Sequence, residues 1–203
     1  METAVRRMAE DLNERGPFLI SFDPLVLNQP HPGDQKAYTI RVQFPEQGQP
    51  QCRLKVEITI DEPILSPVET GKVLHGFPEE FIARVPGYSL SEITAEKFRA
   101  LLQSKAKLRK RGWGASRVCR DYYDLWNLLQ YPGIVSPDLI LFLKQKCAVR
   151  NVSFDTPHDF ISEDLLAVAS LEWQKQLLPF VPDAPPVTEL LGQVQTLILS
   201  VWE

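Results

Sequence analysis

Cysteine and histidine are both scarce, with three of each in 203 residues. Cys52, Cys119 and Cys147 are odd in number and too far apart to form a chelating pair. They read as reduced thiols of a cytoplasmic protein, not as a disulfide framework or a zinc site. His31, His75 and His158 are equally dispersed and give no metal-ligand spacing. Long apolar runs are absent too. The C-terminal TLILSVWE falls far short of the roughly 20 residues a membrane helix needs, so no membrane partner is expected. The opening METAVRRMAEDLNERG is a charged amphipathic helix with no apolar segment after its basic residues, which excludes a signal peptide. No Ser/His/Asp set, Walker loop, dinucleotide fingerprint or pair of CxxC motifs occurs, which removes several common enzyme readings. Basic residues number 22 against 26 acidic ones, a net charge of -4. That balance argues against a protein that coats nucleic acid, but leaves room for a local basic patch.

What is present suits an ordinary globular chain. Hydrophobic content of 44% and charged content of 24% can support a real core in one domain, or one domain with an appendage. Residues 2–15 read as a helix stopped by Gly16-Pro17. Three strand-like runs follow: FLISFDPLVLN, KAYTIRVQF and QCRLKVEITI. In the second, Tyr38, Ile40, Val42 and Phe44 share a face. In the third, Cys52, Leu54, Val56, Ile58 and Ile60 share one face, with Arg53, Lys55, Glu57 and Thr59 on the other. Period-two alternation of this kind predicts half-buried antiparallel strands. HPGD and PEQGQPQ are the turns between them. The chain then becomes irregular, through HGFPEE and VPGYS. At Ser89 the period changes, and Ser89 with Glu92 forms a capping-box pattern. Helices are expected over the following stretch, from Arg117 to Gln130, from Ser136-Pro137, across SEDLLAVASLEWQKQLL, and after the rigid PFVPDAPP. The fold class is therefore α+β, with residues 1–88 carrying the sheet and 89–203 a helical region.

Few residues stand out as candidates for chemistry. Lys97 lies four after Ile93 and four before Leu101, so it shares a helix face with both. It is either a lysine snorkelling at the edge of a core or an ammonium that holds phosphate as a point charge. Asp121 falls between Val118 and Leu125 at helical spacing, among Tyr122 and Tyr123. A carboxylate there should be paired, ligated or reactive, and Lys97 is its partner if the two helices lie side by side. Asp124 could simply pair with Arg120 on the helix surface. Glu57, on the polar face of the third strand, is either a cross-strand partner of Arg41 or a carboxylate aimed at a metal-bearing cleft. The run from Lys105 to Arg120, KAKLRKRGWGASRVCR, is the most basic part of the chain. It reads as a solvated loop or as an RNA contact made by Lys107, Arg109, Lys110, Arg111 and Arg117, with Trp113 stacking on a base.

YSLSEITAEKFRALL followed by RDYYDLWNLL resembles the AbiEii/AbiGii nucleotidyltransferase-like toxins of abortive-infection and type IV toxin–antitoxin systems. LKVEITIDEPI resembles the middle acidic strand of that family, and LEWQKQLLPFVPDAPPVTELLGQV its helical tail. The resemblance runs from about Tyr38 to Val201. It implies a nucleotidyltransferase-like fold, a small antiparallel or mixed sheet followed by a C-terminal helical bundle. It implies transfer of NMP from an NTP to an RNA acceptor, often the 3′ end of tRNA, with Mg2+ as cofactor and a cognate antitoxin as partner. In that scheme Glu57 ligates metal or takes the acceptor proton. Lys97 and Arg120 bind the nucleotide. Asp121 or Asp124 positions Lys97 or the acceptor.

The family pattern also includes a Gly-Ser or Gly-Gly turn at a helix N-terminus, followed by an acid-x-acid strand. The nearest groupings here, FDP and IDEP, have a different context. The chain therefore reads as one lacking that front section and weakly active or inactive alone. The alternative is a non-catalytic binding module or a truncated relic that docks an antitoxin. Such a relic could also form a homodimer through an exposed strand edge.

Overall fold

The computed structural model describes residues 2–25, 35–73, 76, 78 and 82–203. The HPGD turn, the end of the first strand run, most of HGFPEE, and His31 and His75 lie outside the described residues. Two compact units form, residues 1–62 and 63–203. This division falls earlier than the switch from strands to helices near residue 88. The reason is local to the second unit: Pro63, Leu65 and Ser66 are hydrogen-bonded to side chains of its helices.

In the first unit, helix α1 (Glu2–Arg15) precedes strands β1 (Leu19–Leu25), β2 (Lys36–Gln43) and β3 (Cys52–Ile58). The strands pair antiparallel in the order β1-β2-β3. Asn13 fixes α1 to the sheet by reading both backbone groups of one residue. Its Oδ1 accepts from Ile20 N at 2.5 Å and its Nδ2 donates to Ile20 O at 2.9 Å. Ala9, Ile20 and Ile40 make the small core, flanked by Phe18, Phe22, Val42 and Val56.

The strands lie where the alternation places them, but the burial expected of β3 does not follow. Cys52 is exposed and Leu54 is 53% exposed. Helix α1 packs on β1, at the far edge of the sheet from β3, so its cover runs out before Cys52 and Leu54.

The second unit opens with a two-stranded ribbon, β4 (Glu69–Lys72) and β5 (Arg84–Gly87). Helices α2 (Leu90–Arg111), α3 (Val118–Leu128), α4 (Pro137–Val149), α5 (Glu163–Glu172) and α6 (Val187–Ser200) follow. Each of the later boundaries has a local cause. Ser136 and Pro137 open α4 as an N-cap followed by proline at the first turn. Gly112 closes α2 in the left-handed region at φ 73°. The run read as one helix after Ser162 is instead α5 followed by a π-helical turn at Trp173–Leu177.

Phe98, Leu101, Tyr122, Leu125, Leu139, Leu143, Phe160, Leu165, Leu190 and Ile198 are almost completely enclosed. Phe98, Phe154, Phe160 and Trp202 form one aromatic cluster, with Phe98 and Phe160 5.0 Å apart and Phe160 and Trp202 5.4 Å apart. The Tyr122 hydroxyl, buried in this core, donates to Phe160 O at 2.7 Å. A buried hydroxyl without that acceptor would be costly. The whole is an α+β protein with small antiparallel sheets and six α-helices among the described residues, consistent with a nucleotidyltransferase-like fold.

One buried cation ties the start of this unit to its helices. Lys146, in the last turn of α4, is fully enclosed. Its Nζ lies 2.7 Å from Glu92 Oε1 and 2.9 Å from Glu96 Oε1. It also donates to Pro63 O at 2.9 Å and sits 5.0 Å from the Tyr88 ring centre. Glu92 accepts from Leu65 N and Ser66 N as well. The Ser89–Glu92 pattern is thus half a capping box. Ser89 Oγ does accept from Glu92 N, while the Glu92 carboxylate turns to the incoming chain and to Lys146. Burial pushes the Glu92 pKa up, yet Lys146 and the Leu65 amide outweigh it and leave the group below its ordinary value.

Candidate functional site

Helix α2 turns Ala95, Phe98, Leu101 and Leu102 into the core. Lys97 is on the flank of that face, half-buried, where α2 meets α3. Its Nζ lies 3.3 Å from Asp121 Oδ1 and 2.5 Å from Asp124 Oδ2. One ammonium thus bridges two carboxylates one turn apart on the neighbouring helix. The Lys97–Asp121 partnership expected from side-by-side helices is present. The Arg120–Asp124 pair weighed as an alternative is not, because Asp124 faces Lys97.

The start of α3 is built unusually. Arg117 stands at its N-cap with φ 65°, a left-handed conformation, and offers no side-chain cap. The first amides are satisfied from a distance. Glu172, at the end of α5, accepts from Arg117 N at 3.1 Å, Val118 N at 2.9 Å and Cys119 N at 3.5 Å. A carboxylate at a helix N-terminus also meets the positive end of the helix dipole. Glu172 therefore does the work that Ser or Asp does at most helix starts, and it sets where Asp121 and Asp124 fall.

A cleft of about 520 Å³ opens beside the bridge. Lys97, Lys107, Arg117, Arg120, Asp121 and Asp124 are among its lining residues. Four cations against two carboxylates make it a basic cleft in an acidic protein. Arg120 is held in place, with Nε donating to Gln176 O at 2.7 Å and its guanidinium 4.3 Å from the centre of the Phe180 ring. Lys107 and Arg117 are exposed, and no carboxylate within ion-pairing distance of either is present among the described residues.

Burial pushes the Asp121 carboxyl up to about 6, with Asp124 and Glu172 adding to the shift and Lys97 opposing it. Its side chain is only 14% exposed. For Lys97, burial alone would favour the neutral amine. The hydrogen bonds and charges of Asp124 and Asp121 more than offset this and raise its pKa. The cleft thus holds a firmly protonated lysine beside a carboxyl that titrates close to neutrality.

The remaining candidates separate. Arg109, Lys110 and Arg111 occupy the exposed last turn of α2, which extends through them. They are helical, not part of the loop read from the sequence. Trp113 is 68% exposed, with the Arg111 guanidinium 5.9 Å from its ring centre. Lys107 and Arg117 line the cleft, and these four do not. Lys105, the first residue of the basic run, is not part of a basic surface. It is buried, with Nζ 2.7 Å from Asp159 Oδ1 and donating to Asp159 O at 3.2 Å. That hydrogen bond holds the Asp159 carboxyl down to about 2.

Glu57 belongs to the first unit, residues 1–62. It does not pair with Arg41. Its carboxylate lies 2.7 Å from Lys55 Nζ, while Arg41 reaches Asp23 at 3.0 Å. The register explains the difference, since Glu57 sits opposite Ala37 and Arg41 opposite Arg53. No cluster of three or more His, Cys, Asp or Glu able to hold a metal ion occurs among the described residues. The donor set of Glu57 and its ion-paired lysine does not fit the expected Mg2+. The cysteines are all free thiols, and burial pushes Cys119 and Cys147 up to about 11 each.

Lys146 and Glu172 were not legible as important from the sequence. Lys146 follows Lys144 and Gln145 and so resembles another surface lysine, and Glu172 acts on amides more than 50 residues earlier. Among the described residues, no helix is long and apolar enough to cross a membrane. No curated protein matches the chain. A family model described as nucleotidyl transferase AbiEii toxin, type IV TA system, matches residues 4–195. That span begins well ahead of Tyr38 and covers most of both compact units. This chain belongs to the AbiEii nucleotidyl transferase toxin family of type IV toxin–antitoxin systems.

Proposed function

We propose that the cleft at Lys97 binds the triphosphate of an NTP and that the chain transfers its NMP to the terminal hydroxyl of an RNA, with tRNA as the acceptor. In that reaction the acceptor oxygen bonds to the α-phosphorus, the bond to pyrophosphate breaks, and the hydroxyl proton leaves. The observation that carries this reading is the Lys97 ammonium held by Asp121 and Asp124 in a cleft that also presents Lys107, Arg117 and Arg120. An ammonium fixed by two carboxylates is preorganised for a phosphate oxygen and needs no rearrangement when negative charge develops on the leaving group. Asp121 and Asp124 act as positioning residues for Lys97. Asp121, with a pKa near 6, is also suited to accept the acceptor proton near neutrality. Arg109, Lys110, Arg111 and Trp113 supply the approach for RNA through charge and one exposed ring.

The test is transfer of radiolabelled NMP to tRNA by the purified chain. Lys97→Ala should lower the transfer rate about 100-fold or more, the scale of losing one preorganised charge-stabilising group. Unchanged transfer in that variant would refute the assignment. A second reading, nucleotide binding without turnover, is favoured by the side chain of Glu57, which faces Lys55. It predicts nucleotide retained in equilibrium dialysis with no labelled RNA formed.

A further inference from the structure

The Lys97–Asp124 pair borders two clefts, not one. Beyond the basic cleft, a second of about 560 Å³ is lined by Leu90, Ile93, Tyr123, Asn127, Leu128 and Tyr131, again with Lys97 and Asp124. Its chemistry is opposite to that of the first. The walls are two aliphatic side chains at the start of α2, a third on α3 and two tyrosine rings, with one amide. Tyr123 is braced from behind by Trp126, their ring centres 6.0 Å apart. Tyr131 lines the cleft and is 57% exposed, so much of its side chain is accessible to a ligand. Asn127 donates through Nδ2 to Tyr123 O at 2.9 Å, which leaves Oδ1 as an acceptor without a protein donor among the described residues.

We propose that this second cleft is a nucleobase subsite, and that a nucleotide spans the Lys97–Asp124 pair with its phosphates on the basic side and its base on the aromatic side. The inference rests on the function proposed above. Three features favour a base over another apolar group. Stacking on aromatic rings suits any flat heterocycle. Asn127 offers a polar contact for the edge of such a ring, which a purely aliphatic ligand could not use. The shared Lys97 and Asp124 make the subsite continuous with the place where charge is bound. Tyr131 and Tyr123 would then hold the base between ring and aliphatic wall, and Asn127 would accept from a base amino or imino group.

The experiment compares binding of each of the four NTPs with binding of inorganic tripolyphosphate, at one fixed free Mg2+ concentration. Tripolyphosphate has the charge and lacks the base. Wild-type protein should bind at least one NTP more tightly than tripolyphosphate. Tyr131→Ala removes an exposed ring, and Leu90→Trp fills the cleft from the exposed start of α2. Both should weaken that NTP about tenfold or more, the scale of losing one base–ring stack, and leave tripolyphosphate binding unchanged. If wild type binds tripolyphosphate as tightly as every NTP, the base subsite is wrong and the phosphate cleft stands. The same conclusion follows if the variants leave NTP binding unchanged, or weaken both ligands equally. If wild type binds neither NTP nor tripolyphosphate, the proposed function falls, and the subsite with it.

Discussion

Replacing Asp121 by Asn should make the helical unit more stable while disabling the proposed chemistry. The Asp121 carboxyl is buried between α2 and α3 and titrates at about 6, against an ordinary value of 3.8. A carboxyl raised in this way binds its proton more tightly in the folded state than in the unfolded chain. The contribution of this carboxyl to wild-type stability therefore falls as pH rises from about 4 to about 6, then stays level. Two pH units at about 1.4 kcal/mol each set an upper bound of about 3 kcal/mol. Lys97 keeps Asp124 as a partner in the variant, so much of its own charge remains matched. Asn cannot ionise, so the wild type loses against it across that window.

The assay is urea unfolding of both proteins from pH 4 to 8, followed by tryptophan fluorescence. All four tryptophans, at 113, 126, 173 and 202, lie in the second unit, so the signal reports that unit alone. The variant-minus-wild-type difference should climb by about 2–3 kcal/mol between pH 4 and 6.5 and level off above. Other acid-sensitive groups, such as Asp159, act in both proteins and cancel. A difference that is flat across the range, or that falls with pH, would refute the claim that burial dominates at Asp121.

Two further outcomes follow from the same unit. Lys146→Met should cost about 3–5 kcal/mol in urea unfolding at pH 7, because Glu92 and Glu96 would face an apolar tail. A loss under about 1 kcal/mol would show that the enclosed charges are not matched as described. Glu172→Gln should cost about 1 kcal/mol through the loss of charge at the start of α3. It should also move the Asp121 titration, read by carboxyl carbon NMR, below about 6. An unmoved midpoint would mean that the Glu172 charge does not reach Asp121.

How far the sequence could be read depended on the distance over which each feature is decided. Strand alternation, the proline stops, Ser89 and the Ser136-Pro137 start are local, and the corresponding elements form. Lys97 and Asp121 could be suspected together because each is anomalous on its own helix. The burial of β3 could not be read, since the same pattern serves a covered or an uncovered sheet face. The β4–β5 ribbon is four residues per strand, too short for a periodic signal. The second cleft joins the start of α2 to the end of α3. Apart from Lys97 and Asp124, its residues read separately as ordinary core and surface positions.

The carboxylate that starts α3 lies late in the chain. A growing chain has residues 97, 121 and 124 long before it has residue 172. Until then the first amides of α3 lack their acceptor and Arg117 has no counterweight for its left-handed turn. The cleft is therefore finished late in synthesis.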